Sequence, residues 1–468
     1  MRSLIQKSVI VLFTTFMVGQ ASAQTGKDFW FGAPDISVGH TDRPIYLRLT
    51  ALDSNAVITV EQPANPLFPI MSITLLANTS QSIDLTPYID QVENTVYNTV
   101  LNKGIHISSS HDITAYYEVQ GRKTQNGVNK IYNADIFSLK GDNANGTYFM
   151  IPSQTYWDNA WPNYNPDPYH GFIVVAMENN TLVTITPKQA IVGHAANVPF
   201  TISMNAGQTY VARATSPSAA FHLHGSIVTS TKDVTVTLFD DSGGNGEYGG
   251  CKDLMGDQLI PVDRLGTEYI VVNGFLDGGQ GNKRDKVFIM AVEDGTTLAI
   301  NGGGAPGTLN KGDVYVHDFN GNQASIYINT NKPVYVWHIS GFGCEVGGAI
   351  IPAIVCTGSK EVTFTRPDND AFFFIVFIRD GFQGNFLVNG ANNVLVAGDF
   401  TPVPGTGGTW VAARKDVSNF LPVGQAILVE NNTSKFHLGI IHGGTTTGCM
   451  YGYFSDFGMA ETEPIWHY

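Results

Sequence analysis

The residues best suited to recognising another molecule sit in one loop, 154–171. It holds Tyr156, Trp157, Trp161, Tyr164 and Tyr169 among asparagines, aspartates and prolines. Aromatic faces bordered by amide and carboxylate groups suit sugar stacking or the anchoring of a protein partner. The competing expectation is that these rings cap a domain end or pack against a neighbouring stretch of chain. A second group, Asp240, Asp241, Asn245 and Glu247, crowds a Gly-rich segment with the oxygen ligands that a calcium ion takes. Its spacing is not that of an EF-hand, so ordinary acidic turns compete with calcium. No other cofactor is expected.

His222 and His224, two positions apart, would share one strand face, a spacing zinc can use. No cysteine or carboxylate nearby completes a recognisable signature, so a packing role is expected. His338 and His442 occupy similar places in repeated text, which marks them as architecture. The chain has no Gly-x-Ser-x-Gly elbow, no His-Glu-x-x-His motif and no Gly-rich loop opening a helix. A non-enzymatic protein is the reading. The alternative is a secreted carbohydrate-active enzyme, which would need two carboxylates held in one cleft.

The elements that must position these residues are strands. The text repeats four times, opening at Gly26, Gly146, Gly266 and Gly358. Each copy runs from an opening strand through an apolar strand, a Gly/Asn/Asp turn and a further strand to a closing hairpin. In the second to fourth copies the strand before the hairpin follows Gly207, Gly312 or Gly408. Stretches such as Thr235, Val236, Thr237 and Leu238 alternate, which says one face is wet. Phe172 to Ala176 is apolar throughout, which says both faces are covered. A spacing of about a hundred residues suits one small β domain per copy.

The predicted fold is all-β: four tandem Greek-key, β-sandwich-like repeats packed together. Their expected spans are 24–140, 141–262, 263–355 and 356–468. A closed, propeller-like ring of sheets is the second architecture. Thr86-Pro87 signals one short helix. Equivalent strand positions should be buried, among them Val174, Val183 and Val236 in the second copy and Phe288, Leu298 and Val334 in the third. The junctions around Ile260 and Ile351 are apolar, unlike flexible linkers, so the copies should form one rigid body.

Cys251, Cys344 and Cys449 each follow a glycine after a closing hairpin, and Cys356 lies at the next junction. In an exported chain four cysteines predict two disulfides and no free thiol. Three pairings are open. The local pair Cys344–Cys356, leaving Cys251–Cys449, is preferred.

These motifs carry a resemblance. The Gly-Lys-Asp-Phe-Trp-Phe-Gly start at Gly26, the Gly-Cys steps at Cys251, Cys344 and Cys449, the Asp257-to-Pro261 segment and Gly266-Thr-Glu-Tyr269 come in order. Together they resemble the N-terminal region of the IgG Fc-binding protein family, as found in secreted or surface proteins of Bacteroidetes-type bacteria. The resemblance implies an extracellular adhesive or binding role. It brings no residue-by-residue antibody contact with it.

Residues 1–23 read as a signal peptide. Arg2 and Lys7 lead, an apolar stretch follows, and Ala21-Ser22-Ala23 is the cleavage box, so the mature chain should begin at Gln24. The whole chain has a net charge of −14, and removing this segment takes two basic residues and no acidic ones. Nucleic acid and membrane insertion are not expected. The expected partners are surface glycans or glycoproteins, other subunits of a surface assembly, or further copies of the chain, at the cell surface or outside the cell.

Overall fold

The computed structural model describes residues 24–458 except 126–127, 161–163, 245–250, 277–284, 305–306 and 321–322. Among the described residues the chain is all-β, with one α-helix, Ile89–Val92, and several 3-10 turns. That helix continues from the turn Thr86–Tyr88, where Pro87 takes a first-turn position, as the Thr86-Pro87 signal predicts.

Four sheet systems follow one another along the chain. The first runs from strand Thr25–Phe31 to Asp135–Ser138, the second from Gly146–Met150 to Asp253–Gln258. The third runs from Glu268–Val272 to Glu345–Ile350 and the fourth from Glu361–Thr365 to Cys449–Tyr453. Val100–Leu101 crosses over, pairing with Thr209–Arg213 of the second system. Among the described strands, pairing is antiparallel apart from Phe275–Leu276, which runs parallel to Val334–Gly343.

The closing hairpins expected from sequence are not hairpins. In the third system Ser325–Thr330 pairs with Glu268–Val272 and Thr296–Ile300. The following strand, Val334–Gly343, pairs with Lys286–Ala291 and Glu345–Ile350 in a different sheet. The fourth system does the same with Ala426–Glu430 and Phe436–Gly443. In the first two systems no turn is left at all. Ile105–Val119 is one unbroken strand: its first residues pair with Thr25–Phe31 and Ala56–Glu61, its last with Ile45–Ala51 and Asp135–Ser138. Ile227–Gly243 is built likewise. The polar middle, such as Ser109, Ser110, His111 and Asp112, reads like a turn in sequence. In space it is the wet middle of one strand within a single sheet, between the half paired with Thr25–Phe31 and Ala56–Glu61 and the half paired with Ile45–Ala51 and Asp135–Ser138.

Val174, Val183, Val236, Phe288, Leu298 and Val334 are all buried, as predicted. One apolar core runs through the second, third and fourth systems, joining Phe172, Val236, Phe288, Trp337, Phe377 and Tyr451. Ile260, Ile350 and Ile351 at the junctions belong to it. The first system has a core of its own around Phe31, Leu47 and Ile107, and lends Tyr116 and Ile136 to that of the fourth.

The last strands of the four systems meet at the centre of the molecule. Asp135–Ser138 packs on Asp253–Gln258, that on Glu345–Ile350, that on Cys449–Tyr453, and the last returns to Asp135–Ser138. The cycle is closed. Asp135 occupies its middle. One carboxylate oxygen accepts backbone N–H groups of Ile136 at 2.9 Å and Tyr451 at 3.1 Å. The other accepts those of Gly256 at 3.0 Å and Gly348 at 3.3 Å. A Cβ at Gly256 would run into the Phe137 ring, and one at Gly348 into Trp337, so both strands approach this closely only as glycine. Between the first two systems the buried Lys140 Nζ meets Asp257 Oδ1 at 2.6 Å.

Cys251 is bonded to Cys344, their Cα atoms 5.3 Å apart. Cys356 and Cys449 are free thiols. The preferred pairing, Cys344–Cys356 with Cys251–Cys449, is therefore wrong, and so is the expectation of no free thiol. Nearness in sequence was the misleading guide. Cys251 and Cys344 lead into Asp253–Gln258 and Glu345–Ile350, which lie side by side at the centre. Cys356 is exposed on the junction beyond them, while Cys449 is buried in the last strand.

Candidate functional site

The aromatic loop is held from beneath by buried polar groups. Gln154 is the first: its Oε1 accepts the backbone N–H groups of Tyr156 at 2.7 Å and Trp157 at 2.8 Å. Its Nε2 donates to the Trp157 carbonyl at 2.7 Å and to Asp240 Oδ2 at 2.9 Å. Asn159 is the second. Its Nδ2 donates to Asp240 Oδ1 and to the Asp241 carbonyl, both at 2.7 Å. His222 closes the set, with Nε2 3.1 Å from Asn159 Oδ1 and Nδ1 3.2 Å from the Gln154 carbonyl. Such a fully connected buried network fixes one loop conformation, because any slip strands a polar group away from water.

Above that base the five aromatic positions separate. Trp157 is buried, and its ring meets Phe288 of the third system edge-on at 6.4 Å. No ligand can reach its face. Tyr156 is 52 % exposed, with Lys286 Nζ 4.5 Å from its ring. Tyr164 is half-buried and stacks on His40 of the first system, centroids 4.0 Å apart. Tyr169 is half-buried and lies 3.9 Å from the Arg213 guanidinium, which also lies over Tyr97 at 4.2 Å. Trp161 falls outside the described residues. Among its described rings the loop thus has a buried anchor, Trp157, and an open ring, Tyr156. An exposed phenol ring beside the Lys286–Asp318 ion pair is chemistry for a sugar or a protein side chain.

Asp240 and Asp241 do not form an acidic turn. Both are buried near the end of strand Ile227–Gly243. As neighbours in a strand their side chains point opposite ways. Asp240 supports the aromatic loop. Asp241 faces the first system, where Oδ1 accepts from Asn133 Nδ2 at 2.8 Å and Ser242 Oγ at 2.9 Å, and Oδ2 accepts the Ser37 N–H at 2.8 Å. Burial raises the Asp240 carboxyl, opposed by His222, Gln154 and Asn159. Burial pushes Asp241 up to about 7, opposed by its three donors. All four carboxylate oxygens already hold protein donors, so a cation here would have to displace them. Asn245 and Glu247, the other two residues of that expectation, lie outside the described residues.

His222 and His224 follow a 3-10 turn, not a strand, contrary to the shared face expected of them. His222 stacks on His170 at 4.7 Å. Burial brings His224 down to about 4, helped by His222 and Lys188. His338 and His442 do play matching structural parts: His338 Nε2 meets Asp285 at 2.9 Å, and His442 Nε2 meets Asp368 at 3.0 Å. Sequence reasoning passed over Gln154, Asn159 and Asp135. The signal for Asp135 was an acid in the apolar context of Ala134, Ile136 and Phe137.

The family model described as IgGFc binding protein matches residues 138–439, well over half of the chain. No curated protein matches the sequence.

Proposed function

Because the chain belongs to the IgGFc binding protein family, we propose that it is an exported, non-enzymatic adhesive or structural protein acting at the cell surface. The family match is the observation that carries this reading. The Cys251–Cys344 disulfide supports an oxidising compartment. Among the described residues no helix is long and apolar enough to cross a membrane. The packing of the last strands around Asp135 supports a rigid body that holds loops in fixed relation. Tyr156 is its recognition ring, and surface glycans or glycoproteins are its ligands. Rigid copies with low charge also suit a subunit of a surface assembly.

The test is an array of glycans, glycoproteins and an immunoglobulin Fc fragment, probed with the mature chain and with Tyr156→Ala. Saturable binding that weakens about tenfold or more in the variant supports the reading, the range of an interface anchor. Binding unchanged in Tyr156→Ala moves the site elsewhere. Hydrolysis of an arrayed glycan overturns the non-enzymatic reading. Light scattering after size exclusion separates a lone binder from an assembling subunit.

A further inference from the structure

Gln24 is the first described residue, and it is buried, with 1 % of its surface accessible. Its backbone nitrogen lies 3.4 Å from the Phe454 carbonyl, tying the start of the first sheet to the end of the fourth. Its side chain is the anomaly. Both amide atoms, Nε2 and Oε1, are buried without a hydrogen-bond partner. Buried polar groups are nearly always paired, so an orphaned donor and acceptor on one side chain call for an explanation.

Cleavage after Ala23 sharpens the problem. Residue 24 then becomes the N-terminus, and an α-ammonium stands beside the orphaned amide. The two groups can remove each other.

We propose that the exported chain carries pyroglutamate at position 24. The α-amino nitrogen of Gln24 attacks its own side-chain Cδ. The N–Cδ bond forms, the Cδ–Nε2 bond breaks, and the side-chain nitrogen leaves as ammonia with one proton from the α-nitrogen. The step consumes no oxidant and no co-reactant. The lactam keeps one N–H, so the contact with the Phe454 carbonyl survives. The ammonium charge and the orphaned Nε2 vanish together. The inference rests on the export reading and on cleavage after Ala23.

The test is mass spectrometry of the mature protein recovered from an exporting host. The expected N-terminal peptide begins at residue 24, is lighter by one ammonia than free glutamine requires, and resists stepwise N-terminal sequencing. Pyroglutamyl aminopeptidase acting on the denatured chain should expose Thr25 as the new terminus. A terminus at Gln24 with a free amine overturns the proposal and leaves the cleavage reading standing. A terminus elsewhere overturns both. A leaderless chain that keeps an initiator Met before Gln24 cannot cyclise, and its melting temperature should be lower. An equal or higher melting temperature would count against a structural reason for the lactam.

Discussion

Asp135 and Tyr451 are 316 positions apart, and the Asp135 carboxylate accepts the Tyr451 backbone N–H at 3.1 Å. With Gly256 and Gly348 also bonded to it, this one side chain touches the last strand of every sheet system. Asp135→Ala would leave several buried N–H groups without an acceptor. The expected loss is about 2–4 kcal/mol, read from urea unfolding. Asp135→Asn keeps the shape and one acceptor oxygen, so its loss should be smaller. An alanine variant as stable as the parent would show that the closed cycle does not depend on this residue.

The boundary between the second and third systems should weaken as pH rises. Burial and the neighbouring Asp253 push the Glu345 carboxyl up to about 10, from an ordinary 4.5. Burial pushes Asp253 up to about 6 from 3.8. Between the ordinary and raised values the native chain keeps protons that the unfolded chain has released, so stability falls with rising pH. For Glu345 the window runs from about 4.5 to about 10. Glu345→Gln should flatten melting temperature against pH across neutral and alkaline buffers. A slope unchanged in the variant would assign the effect elsewhere. His437, which burial brings down to about 3, acts in the opposite sense below its ordinary 6.5, where the unfolded chain gains the proton.

Thiol titration should distinguish three kinds of cysteine. In the native protein only Cys356 is exposed. Burial raises the Cys449 thiol, with Asp135, Asp253 and Glu345 adding to it, so it should stay inert. One reactive thiol is expected before unfolding and two after it, without reductant. Four would remove the Cys251–Cys344 bond. Replacing both bonded cysteines by serine should cost about 2–4 kcal/mol.

Adjacent aromatic residues should respond in opposite ways. Trp157→Ala opens a cavity against Phe288 and should cost about 3–5 kcal/mol of stability. Tyr156→Ala removes an exposed ring, and its effect on stability should stay within about 0.5 kcal/mol. Paired urea curves check this. If both cost the same, the division into anchor and open ring is wrong.

Much of the strand order was legible because burial imposes itself on composition. Continuous apolar runs such as Phe172 to Ala176 must lie between two covered faces, and they do. The passage between sheets was not legible. Asn331, Lys332 and Pro333 carry turn chemistry whether the chain folds back on itself or moves to another sheet, and local residue types do not record which partner waits beyond. The disulfide was lost for the same reason, since Cys251 and Cys344 become neighbours only through the central packing. In the loop, composition announced five rings, but the separation of Trp157 from Tyr156 depends on Gln154 beneath and Phe288 opposite. Phe288 is far away in sequence, and Gln154, though near, is not distinctive enough in type to foretell it.

The closed cycle also governs when this chain can finish folding. The chain is made from its N-terminus, so the strand Asp135–Ser138 is present long before Cys449–Tyr453. Until that last strand arrives, the Asp135 carboxylate lacks one of its backbone partners, and one flank of the first sheet system has no neighbour. Contacts between such distant stretches form late. A chain still being made remains an open and pliable arc, and full rigidity comes only once Cys449–Tyr453 has closed it.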